Sequence, residues 1–156
     1  MVLPETQVVV LLFLATDCPV ANRYAPTINA LVAKFASPAM RFFAVYPDSQ
    51  VTVEKIRQHQ MDFALNLPAL RDPGHELVSR AGVSVTPEVA VYLMPTSDSP
   101  VGTWLYRGRI DDQYDSVSRS RPAPTKHDLH EVLDLVAQGQ RPAPRTTKAI
   151  GCYIGD

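Results

Sequence analysis

The sequence predicts an α/β fold in which a mixed central sheet carries helices on both faces. A run of β-branched and apolar residues at 7–15 is typical of a strand that is covered on both sides. The elements then follow in the order strand, helix, strand, helix, short helix, strand, strand, helix. The first half of this order requires a right-handed parallel crossover, whereas the last two strands can pair as a hairpin.

The individual elements follow from apolar spacing and from the positions of proline and glycine. Apolar residues recur at helical spacing over 19–35, where Pro19 suits the first turn and Pro26 predicts a kink inside the helix. Gly82 and Gly139 are expected to end the last two helices. The remaining predicted elements are strands at 41–46, 85–94 and 102–110, helices at about 52–60, 75–81 and 126–137, and a polar loop at 111–125.

Length, charge and hydropathy limit the classes of function. The 156 residues, of which 46% are hydrophobic, are enough for one core. A net charge of −1 gives no basic field for nucleic acid or an anionic membrane, so a small molecule or another protein is the expected partner. The longest apolar run, at 8–15, is far shorter than the roughly 20 residues of a membrane span. No leader segment is visible, but the compartment stays open: the chain would be exported or periplasmic if it is a trimmed mature domain, and cytoplasmic otherwise.

The last part of the chain differs in composition from the rest. Residues 140–156 are rich in proline and threonine, have little capacity to form a core, and carry Cys152. We therefore predict one domain over 1–139, followed by a C-terminal tail. The two cysteines, Cys18 and Cys152, are too few for a disulfide framework, and the residues alone leave their pairing open.

Four stretches carry a resemblance to a known family: FLATDCPVANRYAP, LRDPGHELVSRAGVSVTPEVAVYL, YRGRIDDQYD and TKAIGCYIGD. Together they span about residues 8–155, and they resemble bacterial redoxin domains in the thiol-peroxidase and TlpA-like group of the thioredoxin-like superfamily. The resemblance implies a thioredoxin-like fold with an antioxidant or disulfide-exchange activity. It also implies that Cys18 is the nucleophilic cysteine and that Pro87 is a cis-proline facing it.

Elementary chemistry is consistent with a reactive Cys18. A thiol at the amino end of a helix lies near the positive pole of the helix dipole, which favours the thiolate, although the neighbouring Asp17 opposes it. The redox interpretation expects the Cys18 sulfur to be open to solvent and the Thr86–Pro87 bond to be cis, so that the preceding backbone can bind an extended thiol substrate. The alternative is that Cys18 is a small buried hydrophobic residue with a structural role.

The sequence departs from the motifs of the related families near this cysteine. Ala21 and Asn22 stand where relatives of the thioredoxin and copper-delivering types have their second cysteine. Ala15 and Leu11 stand where peroxidases of the superfamily have a threonine and a proline. A second thiol must therefore come from Cys152, from an external thiol or from a partner domain.

Cys152 is the candidate resolving cysteine within the chain. The segment 139–152, fully extended, spans at most about 43 to 47 Å. It can therefore fold back across a small domain or reach a second subunit of a homodimer. A resolving role is one interpretation, and a solvent-exposed or docked thiol without a redox role is the other.

Further candidates for substrate binding lie where the topology brings loops toward Cys18. The loop at 111–125 leaves the same end of the sheet, and an arginine there would lower the pKa of the thiol and bind an anionic substrate, or be an ordinary loop charge. Glu88 would be a proton acceptor if it faces inward and an edge-strand charge if it faces outward. The candidate substrate-binding residues are Thr86, Pro87, Glu88, Asn22, Arg119 and Arg121.

The histidines give no metal-binding signature. His127 and His130 share one helical face, which we expect to be exposed to solvent. A copper site formed by Cys18 with His59 or His75 lacks a characteristic spacing. We therefore expect no metal and no cofactor.

These observations predict a thiol-based oxidoreductase that acts through Cys18, by disulfide exchange or by peroxide reduction. Cys152 or an external thiol would resolve the intermediate, and the partner would be a thiol or disulfide protein or a small oxidant. The alternative is a non-catalytic thioredoxin-fold module for binding or copper handling.

Overall fold

The computed structural model describes residues 6–155 of the chain. In chain order, its elements are β1 (Val8–Phe13), α1 (Pro19–Arg23), α2 (Ala25–Phe35), β2 (Met40–Tyr46), α3 (Val53–Asp62), β3 (Ala69–Arg71), α4 (Glu76–Ala81), β4 (Val85–Thr86), β5 (Glu88–Leu93), β6 (Thr103–Gly108), β7 (Tyr114–Ser116), β8 (Arg119–Ser120), α5 (Asp128–Ala137), β9 (Arg145–Thr146) and β10 (Cys152–Tyr153). No helix within these residues is long and apolar enough to span a membrane.

A six-stranded mixed sheet in the order β3-β2-β1-β5-β6-β9 forms the centre of the fold. β1 lies parallel to β2 and antiparallel to β5, and β6 runs antiparallel to β5. Helices α1, α2, α3 and α5 pack on one face, and the short helix α4 packs on the other. The predicted mixed sheet with helices on both faces is confirmed.

β1 shows how the apolar run fixes a strand at the centre of the sheet. Its side chains are all buried, and they alternate between the two faces, as a strand requires. Val8 and Val10 pack in the core cluster under α2 and α5, whereas Val9 and Leu11 pack in the cluster under α4. Burial of each such side chain contributes about 1.5–3 kcal/mol, so the central position of β1 follows from its composition.

The kink predicted at Pro26 divides the helix at Tyr24, whose backbone angles stay in the right-handed helical region. α1 ends at Arg23 and α2 begins at Ala25, with Tyr24 between them. Pro26 lies in the first turn of α2, where its missing N–H costs no hydrogen bond. In a continuous helix its ring would clash with the carbonyl four residues earlier, so the first helix has to end before it.

Several short strands have no counterpart among the predicted elements. β3 lies between two prolines, β7 and β8 form a hairpin inside the predicted polar loop, and β9 and β10 lie in the tail. Each is two or three residues long. That length is too short for an alternating apolar pattern to indicate a strand.

The tail follows the sheet back to the end at which β1 finishes. β9 pairs parallel with β6, and the Thr147 N–H donates to the Arg107 carbonyl at 3.0 Å. The Thr147 and Tyr106 hydroxyl oxygens are 2.6 Å apart, and β10 then pairs antiparallel with β4. The predicted boundary between domain and tail stays a prediction. We call residues 145–147 the anchor and residues 148–155 the arm.

Candidate functional site

The two cysteines meet at the end of the sheet where β1 finishes. Cys18 and Cys152 form a disulfide across a sequence separation of 134 residues, with 6.1 Å between their Cα atoms. That distance lies in the usual range for disulfides. The fold therefore brings the two residues together within one chain, without any displacement of the backbone.

The junction of β1 and α1 positions Cys18. This residue is the N-cap of α1, with extended backbone angles, and Pro19 occupies the first helical turn. The Ala21 N–H points at the Cys18 sulfur from 3.5 Å. A backbone N–H in this position favours negative charge on the sulfur, so the local geometry suits a thiolate when the disulfide is reduced.

The segment that precedes β5 lies beside Cys18. The Thr86–Pro87 peptide bond is cis, and the Thr86 carbonyl oxygen is 3.3 Å from the Cys18 sulfur. Cys152 pairs with Thr86 in the antiparallel ladder between β10 and β4. The backbone before Pro87, predicted to bind an extended thiol substrate, therefore binds the tail of the chain itself.

The expectation that the Cys18 sulfur is open to solvent is wrong for this disulfide form. Cys18 is 1% exposed and belongs to the main core cluster, whereas Cys152 is half-buried. The pairing of β10 with β4 holds the arm beside Cys18. A cleft of about 360 Å³, whose lining includes both cysteines together with Asp17 and Asp48, still reaches the disulfide. A reagent therefore approaches the bond from the Cys152 side.

A buried hydrogen-bond network supports the loop before Cys18. The Tyr46 hydroxyl is 2.8 Å from His59 Nδ1, and His59 Nε2 is 2.7 Å from the Asn22 side-chain oxygen. The Asn22 side-chain nitrogen donates to the Thr16 carbonyl at 3.2 Å. The Asn22 oxygen can only accept, so His59 donates from Nε2, and the Tyr46 hydroxyl can donate to Nδ1 of a neutral ring. Burial lowers the pKa of His59, which favours the same neutral form.

The network changes the interpretation of two residues. Asn22 is a predicted substrate-binding residue, but both ends of its amide are engaged, so it holds α1 against the loop before Cys18. His59 is one of the copper candidates, but both of its ring nitrogens have partners. The sequence signal for this supporting role is that His59 shares the buried face of α3 with Ile56.

Acidification is expected to lower the free energy of unfolding through His59. Its folded pKa lies below the ordinary value of 6.5, so below that pH the unfolded chain binds a proton that the folded chain does not. The contribution is complete above pH 6.5 and falls, by up to about 1.4 kcal/mol per pH unit, as the pH drops toward the folded pKa. Urea unfolding at pH values on both sides of 6.5 measures this loss. A His59→Gln variant should lose less stability than the wild type, and an equal loss in both would contradict the assignment.

Glu88 lies on the opposite face of the sheet from Cys18. It stands across from Phe13 in the ladder between β5 and β1, and Phe13 packs in the cluster under α4. The buried carboxylate accepts the N–H groups of Ser84 at 2.9 Å and Val85 at 3.3 Å. Both predicted alternatives for Glu88 are therefore wrong: it is neither a proton acceptor at Cys18 nor an exposed charge, and it holds the turn that leads into β4.

Of the two candidate arginines in the predicted polar loop, Arg121 binds within that loop. Arg121 contacts the carboxylates of Asp112 at 3.4 Å and Asp115 at 3.0 Å, and Arg119 is exposed in β8. Within residues 6–155, neither arginine lines the cleft at the disulfide. The structure thus does not bring Arg119 or Arg121 together with Cys18, although the loop lies at the expected end of the sheet.

The other histidines also have local roles. His75 Nε2 lies 2.9 Å from the Pro47 carbonyl oxygen, His130 Nε2 lies 3.1 Å from Lys34 Nζ, and His127 is exposed. In the described part of the chain, no group of three or more His, Cys, Asp or Glu side chains is arranged to hold a metal ion.

Comparison with known proteins relates this geometry to a family. The sequence model of the family described as AhpC/TSA matches residues 3–99, which include Cys18 and Pro87. This match covers more than half of the chain. No curated protein sequence matches it.

Solved structures share the fold at low sequence identity. An uncharacterized conserved protein from Geobacillus kaustophilus is 17% identical, with a TM-score of 0.77 over 96% of this chain and 77% of its own. A hypothetical protein from Sinorhizobium meliloti 1021 is 19% identical, with a TM-score of 0.73 over 96% and 80%. A secreted Mycobacterium tuberculosis disulfide oxidoreductase, described as homologous to E. coli DsbE, is 20% identical, with a TM-score of 0.52 over 85% and 81%. The fold is therefore thioredoxin-like, as the sequence resemblance implies.

Proposed function

Because the chain belongs to the AhpC/TSA family, we propose that it is a thiol-disulfide oxidoreductase that exchanges disulfides with protein partners. One observation carries the proposal: the tail places Cys152 on the backbone before Pro87 and joins it to Cys18, at the start of a helix. In this proposal Cys18 is the nucleophile and Cys152 the resolving cysteine. The redox couple then lies within a single chain.

The reaction begins from the reduced pair. The Cys18 thiolate attacks one sulfur of a partner disulfide, which forms a mixed disulfide and releases the other partner sulfur as a thiolate. Cys152 then loses its proton and attacks the Cys18 sulfur. This step forms the Cys18–Cys152 bond and releases the second partner sulfur, which takes up a proton. Two electrons pass to the partner.

The arm has to leave Cys18 before a partner can react, because Cys18 is 1% exposed beneath it. Without the disulfide, the backbone hydrogen bonds between β10 and β4 still hold the arm. Each of these hydrogen bonds contributes about 0.5–1.5 kcal/mol to stability. The anchor has separate contacts, among them Arg145 at 3.3 Å from Glu131. Release of the arm therefore exposes Cys18 and the Thr86–Pro87 backbone, while the anchor keeps Cys152 close.

Replacement of each cysteine is expected to separate the two half-reactions. Cys18→Ser should lower the rate of insulin disulfide reduction by on the order of 10³-fold or more. Cys152→Ser should still react once, because its Cys18 thiolate is intact, but the mixed disulfide should persist and turnover should cease. Insulin turbidity measures turnover, and mass spectrometry of the intact chain detects the persistent adduct.

The acidity of Cys18 distinguishes this proposal from a non-catalytic binding module. In the reduced Cys152→Ser chain, the alkylation rate of Cys18 against pH gives its thiol pKa. A pKa below the free value of about 8.5 supports catalysis. An unreactive thiol, together with a wild-type chain that reduces insulin no faster than Cys18→Ser does, would contradict the proposal and favour the binding module.

Peroxide reduction is a second candidate, since it leads to the same disulfide. Attack of the Cys18 thiolate on a peroxide oxygen breaks the O–O bond, gives a sulfenic acid and releases the other oxygen as water or an alcohol after it takes up a proton. Cys152 then converts the sulfenic acid into the disulfide with release of water. Ala15 stands where related peroxidases have a threonine. Hydrogen peroxide should therefore oxidise the reduced chain more slowly than a protein disulfide does, and the two rates measured side by side decide between the reactions.

A further inference from the structure

The arm lies in a groove formed by the backbone of residues 84–86 next to Pro87, which we call the β4 groove. We propose that this groove selects protein partners in which glycine directly precedes the reactive cysteine, as Gly151 precedes Cys152. The inference rests on the proposed function and adds to it the sequence class of the partner.

Backbone groups fix the register of whatever lies in the β4 groove. The contacts are Cys152 with Thr86, Tyr153 with Val85, and the Ile154 N–H with the Ser84 carbonyl at 3.0 Å. All of them are backbone pairings, which any extended segment can make. A segment whose cysteine reaches Cys18 can therefore bind in the same register, and that register determines which residue can precede the cysteine.

Gly151 leaves no room for a side chain at the position before the cysteine. A Cβ added to Gly151 would overlap the Thr86 carbonyl oxygen, and it would lie 2.6 Å from the Thr86 carbonyl carbon and 3.2 Å from the Pro87 nitrogen. These atoms belong to the backbone, so they cannot move aside as the end of a flexible side chain could. Gly151 is not among the residues with positive φ, so glycine is needed here for space and not for a left-handed conformation.

A partner meets the same constraint because the partner and the arm are alternative occupants of the β4 groove. The partner sulfur reaches Cys18 only after the arm has left. The empty groove then offers it the backbone groups that the arm had used. A side chain before the partner cysteine would push its backbone away from Thr86 and its sulfur away from Cys18. When Cys152 returns to release the partner, the arm takes the groove again.

Two peptides test this requirement. One reproduces residues 149–154, the other has alanine in place of its glycine, and each carries its cysteine as a mixed disulfide with thionitrobenzoate. The reduced full chain with Cys152→Ser attacks the peptide sulfur through Cys18, forms a mixed disulfide and expels the coloured thionitrobenzoate thiolate. We expect the second-order rate constant to be about tenfold or more higher for the glycine peptide.

The controls separate this inference from the proposed function. Glutathione reacts with both peptides in solution, and its rate ratio corrects for their intrinsic reactivity. Mass spectrometry shows that the peptide, and not thionitrobenzoate, is attached to Cys18. A corrected ratio near one, or a faster alanine peptide, overturns the inference and leaves the proposed function intact. Failure of both peptides to form the mixed disulfide, while glutathione reacts with both, overturns the proposed function and the inference with it.

Discussion

Replacement of Gly151 by alanine is expected to shift the equilibrium between the Cys18–Cys152 disulfide and the two thiols about tenfold or more toward the thiols. The new methyl group would overlap the Thr86 carbonyl, so the arm either leaves the β4 groove or binds with a displaced backbone. Either response moves the Cys152 sulfur away from Cys18, while the form with free thiols is affected less, because its arm is held only by backbone hydrogen bonds and can leave the groove. Equilibration with reduced and oxidised glutathione, followed by alkylation and mass spectrometry, measures the oxidised fraction.

Gly155→Ala is the matched control for this experiment. Gly155 belongs to the same arm, but a Cβ added there meets nothing within 4 Å. We expect Gly155→Ala to leave the equilibrium unchanged. An equal shift in both variants would attribute the effect to the stiffness of the arm, and the absence of a shift in Gly151→Ala would contradict its close approach to Thr86.

The central sheet could be predicted from the sequence because its signals are local. The apolar run of β1 indicates a strand that is buried on both faces, and Gly82, with a φ of 74°, ends α4 in the left-handed conformation that favours glycine. The position of Cys18 could also be predicted from local sequence. A cysteine that follows a buried strand and precedes Pro19 lies at the junction of a strand and a helix.

The position of the tail could not be predicted because it depends on partners that are distant in sequence. β9 and β10 each contain two residues, and they pair with β6 and β4. Glycine is required at position 151 only because the folded chain brings Thr86 beside it. A composition rich in proline and threonine indicates that the tail forms no core of its own, but it does not show whether the tail binds to an existing core.

The supporting contacts around Cys18 were equally inaccessible to sequence reasoning, since they join separate elements. His59 belongs to α3, Tyr46 to β2 and Asn22 to α1. Helical spacing places His59 on a buried face but does not identify its partners. The orientation of Glu88 likewise follows from the register between β5 and β1, which local sequence does not determine.

Reduction of the disulfide is expected to lower the free energy of unfolding by about 3–5 kcal/mol. The bond joins residues 134 positions apart, so in the unfolded chain it closes most of the sequence into a loop and removes conformational entropy. In the folded chain reduction removes only the covalent hold on the arm, because the pairing of β10 with β4 and the contacts of the anchor with the sheet and α5 remain. Urea unfolding of the oxidised and reduced wild-type chain measures the difference, and the stability of Cys152→Ser should not respond to the reductant.

The same measurement links the stability of the fold to the equilibrium of the cysteine pair. Oxidation and unfolding form a closed thermodynamic cycle, so the stability lost on reduction equals the free energy by which folding favours the disulfide. A tenfold weakening of the disulfide in Gly151→Ala corresponds to about 1.4 kcal/mol, so reduction should cost that variant about 1.4 kcal/mol less than the wild type. A loss of less than about 1 kcal/mol in the wild type would mean that folding barely favours the pairing of Cys18 with Cys152, and it would contradict the docking of the arm in the β4 groove.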